Sequence, residues 1–259
     1  QALTSFNFDL FDTLRSHDLF SQEEMRTLVE RQREFEERWK GLSSVLRQKE
    51  MERLAIDLSW KSSQIEGNTY TLLQTESLFK EGKRAKGKIK EEAAMLLNHQ
   101  AALDYVLSHP DYFGELKVEN ILEIHRFLTK GLGIPNKIRS GRVGITGTNY
   151  KPLSDARQIQ KALQDVCDLI NFKQNVLEKA LITLLLIAYI QPFEDGNKRT
   201  ARMLCNALLL ANKYCPISFR TVDPDDYRYA TLLFFEQNPL PSFKKMFIEQ
   251  FEFSTANYF

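Results

Sequence analysis

The residues best placed to do chemistry lie in one window, Gln191–Arg202, which reads Q-P-F-E-D-G-N-K-R-T-A-R. An apolar stretch predicts a helix over Leu177–Ile190, and Pro192 interrupts it. Gly196 and Asn197 then open a new helix, with Asn197 or Asp195 suited to its cap. Free backbone N–H groups at such a start point outward, and the helix dipole favours an anion there. Gly196 lets the backbone approach closely, since no Cβ stands in the way. Arg199 and Arg202 are three residues apart and leave the same face of the first turns. Two guanidinium groups beside a helix N-terminus suit phosphate oxygens, and Asp195 is placed to hold Mg²⁺ against them. The bland alternative is an ordinary capped helix with surface arginines. An acid, a Gly-Asn pair and two arginines in so short a span favour the phosphate site.

Other chemistries have weaker support. Cys167, Cys205 and Cys215 form no C-x-x-C pair, and the four histidines at 17, 99, 109 and 125 are far apart in sequence. Neither pattern has zinc-site spacing. Gly82–Ile89 (G-K-R-A-K-G-K-I) nearly matches a Walker phosphate loop. However, Ile89 stands where Ser or Thr would meet Mg²⁺ and no strand precedes it, so a solvated basic turn is the better reading. A net charge of +1 provides no global field for nucleic acid or an anionic membrane. The apolar run Ala180–Ile190 is about half the ~20 residues of a membrane span. No signal peptide is visible and the cysteine count is odd, so a cytoplasmic location is expected.

The elements that must position this window are helical. Helical periodicity covers Gln22–Glu50 as one or two helices, then Met51–Ile65, with Gly67 as a C-terminal cap. Further helices are expected over Thr71–Phe79, Glu91–Leu107, Val118–Lys130, Asp155–Asn171, Asn197–Lys213, Asp225–Glu236 and Pro241–Phe251. Ile134–Lys151 alternates glycine and β-branched residues with polar ones and reads as the single β-hairpin. Without βαβ alternation a parallel sheet is excluded.

Phe193, Asp195, Gly196, Asn197, Arg199 and Arg202 together resemble the Fic-family signature H-x-F-x-[D/E]-G-N-x-R-x-x-R at every fixed position but the first. The resemblance implies an all-α, Fic-like helical bundle that binds ATP with Mg²⁺ and moves AMP onto a protein hydroxyl. By the same resemblance Asp195 holds the metal, while Asn197 and the backbone from Gly196 through Lys198 to Arg199 cradle the anion. Arg199 grips the phosphates, Arg202 reaches the γ-phosphate and Phe193 anchors the loop. Gln191 stands where the family carries its general-base His. A neutral carboxamide cannot take a proton, a loss of typically ~10²–10⁴ in rate.

Ser62–Gly67 (S-S-Q-I-E-G) resembles the family's inhibitory motif [S/T]-x-x-x-E-[G/N] at Ser62, Glu66 and Gly67. This implies that Glu66 pairs with Arg202 and blocks placement of the γ-phosphate. The segment 139–151 resembles the flap that holds a target peptide, with Thr148 and Tyr150 as flap residues. Asn98 and His125 are expected to support the core. Tyr227 is placed near the adenine end of the site.

These readings divide the chain into a helical extension at 1–85 carrying the inhibitory motif and a Fic-like core at 86–259. The implied function is an autoinhibited adenylyltransferase impaired at its general base. The alternatives are an ATP-binding interaction module, or a variant that removes AMP or transfers another phosphate-containing group. The implied partners are a nucleotide and a target protein at the flap, with self-association left open.

Overall fold

The computed structural model describes residues 4–259. They form eleven α-helices: α1 Asp9–Ser16, α2 Gln22–Gly41, α3 Ser44–Ile65, α4 Leu72–Glu81, α5 Lys90–Ser108, α6 Val118–Thr129, α7 Ala156–Phe172, α8 Val176–Ile190, α9 Asn197–Ala211, α10 Pro224–Gln237 and α11 Pro241–Asn257. A short 3₁₀ turn at Pro110–Phe113 follows α5.

Helix starts follow local chemistry. Ser21 with Glu24 and Thr71 with Gln74 form capping boxes at α2 and α4. Asp155, Asn175 and Asp223 cap α7, α8 and α10. The stretch 22–50 divides because Ser43 caps α3 after the chain extends at Leu42. At the end of α3, Glu66 leaves the helix and Gly67 takes a φ of 93°. There the Asn68 N–H donates to Ser63 O and the Gly67 N–H to Gln64 O, closing the helix as a Schellman motif.

The centre of the molecule is α8. Every residue from Ala180 to Ile190 is buried, so a helix apolar all round is enclosed by its neighbours. Helices α7, α9 and α10 pack on it, while α5 and α6 pack on the far side of α9. Helix α3 lies against α5, α9 and α10, which brings its C-terminal end to the start of α9. Helix α2 packs on α11 and α1 on α7. No helix among the described residues is long and apolar enough to cross a membrane.

The expected β-hairpin at Ile134–Lys151 does not form. Residues 130–155 contain no strand pair, only an isolated parallel bridge between Ser5 and Lys151. Gly141 and Gly147 take positive φ, which breaks the extended run a hairpin needs. The segment is instead pinned by single contacts: Arg139 N–H to Pro192 O, Gly141 N–H to Ser154 O and Lys151 N–H to Thr4 O. Glycine and β-branched alternation therefore marks a tethered irregular loop here.

Leu186 is fully buried in α8, whereas Leu73 on α4 is 75% exposed. Leu186→Ala should lower the unfolding free energy by about 2–5 kcal/mol in urea titrations. Leu73→Ala should stay within about 0.5 kcal/mol of the parent protein.

Candidate functional site

The loop between α8 and α9 is held by side chains that spend their polar atoms on its backbone. Asn197 accepts the Phe193 N–H at 2.9 Å through Oδ1. Its Nδ2 donates to Phe193 O at 2.9 Å and to Gln191 Oε1 at 3.1 Å. The Phe193 ring stacks on His125 with centroids 3.6 Å apart. His125 Nε2 lies 2.8 Å from Asp195 O, and Asn136 Nδ2 lies 2.8 Å from His125 Nδ1. Since a carbonyl only accepts and an amide nitrogen only donates, this imidazole is neutral with its proton on Nε2. Burial agrees, pushing the His125 pKa down to about 4, with nearby Arg199 adding to the shift.

Gly196 is the N-terminal boundary residue of α9, at φ 85°. A Cβ there would stand 3.0 Å from Thr129 Cγ2 and 3.4 Å from the His125 ring. Both conformation and space therefore require glycine. Neither Asp195 nor Asn197 caps α9, contrary to the sequence expectation. The Asn197 side chain turns back to Phe193, and Asp195 Oδ1 accepts only the Gly196 N–H, at 2.7 Å. The first turn of α9 thus keeps backbone N–H groups with no side-chain cap, as an anion site needs.

Arg199 and Arg202 leave this turn into the interior. Arg199 is 2% exposed, and its carboxylate neighbour is Asp195 Oδ2 at 3.5 Å. Its Nε and Nη1 have no hydrogen-bond partner, and neither does Arg202 Nη1. Arg202 donates through Nη2 to Glu66 Oε1 at 2.7 Å and to Ser62 O at 3.1 Å, and through Nε to Ser62 Oγ at 2.9 Å. Lys198 Nζ lies 3.6 Å from the other Glu66 oxygen. Burial alone would raise the Glu66 carboxyl, but Arg202, Lys198 and Arg199 outweigh it and hold the group below its ordinary value. Ser62, Glu66 and Arg202, read from two separate motifs, thus meet in space, with Gly67 ending the helix that carries Glu66.

Gln191, Asp195, Gly196, Asn197, Lys198 and Glu66 line a cavity of about 540 Å³, closed on other sides by Gly144–Thr146 of the loop and by Arg228, Leu232 and Phe235 of α10. This volume suits a small organic ligand. Gln191 sits at the end of α8 with φ 52°, and its Nε2 donates to Ala188 O at 2.7 Å. The Asp195 side chain is 68% exposed at the cavity wall. No cluster of three metal-ligating side chains occurs among the described residues. An ion at Asp195 would therefore need its other ligands from a substrate's phosphates and from water, the usual Mg²⁺ pattern.

Three expected placements change. Tyr150 is buried and donates its hydroxyl to Tyr189 O at 2.8 Å, so it anchors the loop to α8 and does not face a target. Thr148 donates to Glu236 at 2.6 Å, fastening the loop to α10. Tyr227 is buried beneath Arg202, whose guanidinium carbon is 5.2 Å from its ring centroid. It supports that arginine and is absent from the cavity wall.

Sequence reasoning missed Arg139, His99 and Arg228. Arg139 is 1% exposed and donates through Nε to Gln191 O at 2.5 Å, through Nη2 to Ile190 O at 3.3 Å and through Nη1 to Gly141 O at 2.8 Å. It holds the carbonyl end of α8, where a cation is favoured, and ties the irregular loop to it. Arg228 Nη2 donates to Ile65 O at 2.9 Å, latching the end of α3. His99 lies 2.8 Å from Ser62 Oγ. A lone Arg or His inside a periodic segment carries no motif signal.

The comparisons with known proteins agree with this arrangement. Residues 115–209 match the Fic/DOC family model. Protein adenylyltransferase fic-1 of Caenorhabditis elegans is 28% identical over 204 residues, which are 75% of this chain and 39% of that protein. Protein adenylyltransferase Fic of Nematostella vectensis is 31% identical over 176 residues, 65% of this chain and 40% of its own length. The chain thus spans about two fifths of the curated relatives it matches. The solved structure of Fic-1 from C. elegans covers 92% of this chain and 70% of its own at a TM-score of 0.74 and 23% identity. A Fic family protein from Desulfovibrio desulfuricans G20 gives a TM-score of 0.71 at 24% identity, over 92% of this chain and 74% of that one. These likenesses establish the fold.

Gly196→Ala should destabilise the protein by more than 1 kcal/mol in thermal or urea unfolding, because the left-handed backbone and the Thr129 contact both oppose a Cβ. A second prediction concerns pH. His99 and His125 are pushed by burial to about 3 and about 4, whereas in the unfolded chain imidazoles bind protons near 6.5. Stability should therefore fall from pH 7 to pH 5, by about 2 kcal/mol per buried imidazole at pH 5. Glu66 acts in the same direction only at lower pH, as its depressed carboxyl protonates. Urea titrations across this range should show a shallower slope for His125→Gln.

Proposed function

We propose that this chain, whose residues 115–209 match the Fic/DOC family model, binds the phosphates of ATP at the head of α9 and is an autoinhibited protein adenylyltransferase impaired in AMP transfer. One observation carries this reading. Three buried guanidinium nitrogens, Arg199 Nε and Nη1 and Arg202 Nη1, lack acceptors beside a helix start with no side-chain cap. Leaving charged donors unpaired in the interior costs free energy that an incoming anion would recover.

In this proposal Arg199 and the α9 backbone hold the phosphate chain, and Asp195 holds Mg²⁺, which when bound neutralises phosphate charge. A target hydroxyl attacks the α-phosphorus. The bond to the β-phosphate oxygen breaks, pyrophosphate leaves, and the hydroxyl proton must pass to a base. Glu66 opposes the reaction by occupying Arg202 and by placing a carboxylate where phosphate charge belongs. The cavity-facing segment Gly144–Thr146 is the part of the loop left to meet a target, since Tyr150 faces the core.

Gln191 stands where the family's signature has its base. Its amide is also committed at both ends, Nε2 to Ala188 O and Oε1 to Asn197 Nδ2. This favours a second reading, in which the domain binds nucleotide to regulate an interaction and does not turn over. It also explains how the loop keeps its shape without histidine, because Gln191 bridges the end of α8 to the start of α9.

Labelling with radioactive ATP separates the two readings. The parent protein should show little self-modification. Gln191→His alone should remain low because Glu66 still holds Arg202. Gln191→His with Glu66→Gly should raise labelling by about 10²–10⁴ over Glu66→Gly alone, the usual contribution of a general base. A folded double variant that does not label would leave the interaction-module reading.

A further inference from the structure

Arg202 has three neighbours that face its guanidinium: Glu66 on Nη2, Ser62 on Nε and Nη2, and the Tyr227 ring. Ser62 is itself held from behind. Its Oγ lies 2.8 Å from His99 Nε2, and His99 Nδ1 lies 2.8 Å from Met95 O. Ser62 and His99 are each 1% exposed and Arg202 is fully buried, so water does not reach this line of groups.

The proton positions follow from the partners. Met95 O only accepts, so His99 Nδ1 carries the ring proton and Nε2 is the acceptor. Ser62 must then donate its one hydroxyl proton to Nε2. Its remaining lone pairs face Arg202 Nε at 2.9 Å, which only donates. Each group has one possible role, and the chain runs in one direction from Arg202 through Ser62 and His99 to the α5 backbone. Helical serines otherwise rotate to donate to a carbonyl of the preceding turn.

We propose that His99 is a positioning residue for Arg202: by fixing the Ser62 hydroxyl as an acceptor, it sets the guanidinium plane so that Nη1 and Nη2 stand ready for a phosphate once Glu66 withdraws. The proposal rests on the phosphate-binding reading above. Glu66 and a phosphate both compete for Nη2, whereas the Nε contact to Ser62 is available in both states. His99 therefore serves the brake and the released site alike. Burial, reinforced by Arg199 and Arg202, pushes its pKa down to about 3, so it stays an acceptor and adds no third cation to the cluster. The side chain sits on α5, outside both sequence motifs, and couples that helix to α3 and α9.

The test uses the full chain in a Glu66→Gly background, with ATP affinity read by calorimetry and the Arg202 Nε–H read by NMR. His99→Leu removes the acceptor, while His99→Gln keeps a carbonyl oxygen for Ser62. We expect His99→Leu and Ser62→Ala each to weaken ATP binding roughly tenfold. The two combined should be no worse than the weaker single variant, since they break one chain. His99→Gln should bind within about threefold of the background. The Arg202 Nε–H should exchange faster in His99→Leu than in His99→Gln. Unchanged ATP affinity and Nε–H exchange in a folded His99→Leu protein, with only a lower melting temperature, would overturn the proposal and leave His99 a packing residue. Loss of binding in His99→Gln equal to that in His99→Leu would overturn it too. If the Glu66→Gly protein itself fails to bind ATP, the phosphate reading falls and takes this one with it.

Discussion

Two guanidinium groups are buried at the head of α9 with fewer acceptors than donors, and much of the surrounding structure manages that imbalance. Arg202 is satisfied at Nε and Nη2 by Ser62 and Glu66 of α3, and Tyr227 supports its face. Arg199 has only an exposed carboxylate at 3.5 Å. A cation in the interior is tolerated when it is paired, and removing one partner is costly. Glu66 therefore does two things with one contact: it completes the folded core and fills a place suited to an anion. A phosphate that replaces it must offer Arg202 at least as much as the carboxylate does. Under the proposed function, the contact that stabilises the fold is also the one a phosphate must displace.

The rest of the architecture fixes where those arginines start. Helix α8 is apolar all round and cannot move without exposing its core. Its C-terminal carbonyls are held by Arg139, and its last residue continues into Gln191. From there Asn197 and His125 hold the loop through backbone contacts, with Asn136 fixing the His125 ring, and the close packing at Gly196 leaves no room for a Cβ where α9 starts. Gln191 belongs to this scaffold. Its amide bridges the end of α8 and the start of α9.

Much of this was legible in the sequence because the chemistry is local. The loop, Gly196 and both arginines fall within twelve residues, and Gly67 marks the end of α3. The Glu66–Arg202 pair spans 136 positions and was found only because each end carries its own motif. The hairpin was misread because a glycine-rich loop tethered by Arg139, Thr148 and Tyr150 shows the same alternation as paired strands. What decides between them is whether backbone groups find a partner strand, and that is a tertiary fact. Arg139 and His99 stayed hidden for a related reason. Each is a single polar residue whose role exists only through partners on other elements.

The most direct test of the central claim is the affinity for ATP with and without the Glu66 carboxylate. Calorimetry on the parent protein, on Glu66→Gly and on Glu66→Gly with Arg202→Ala isolates the competition for one guanidinium. If the buried arginine is a phosphate partner held by an internal carboxylate, Glu66→Gly should bind ATP at least tenfold more tightly than the parent, since a charged hydrogen bond is worth about 1.5–3 kcal/mol. The added Arg202→Ala change should cancel that gain. Equal affinities in the parent and Glu66→Gly proteins would contradict the account, as would a gain that survives loss of Arg202.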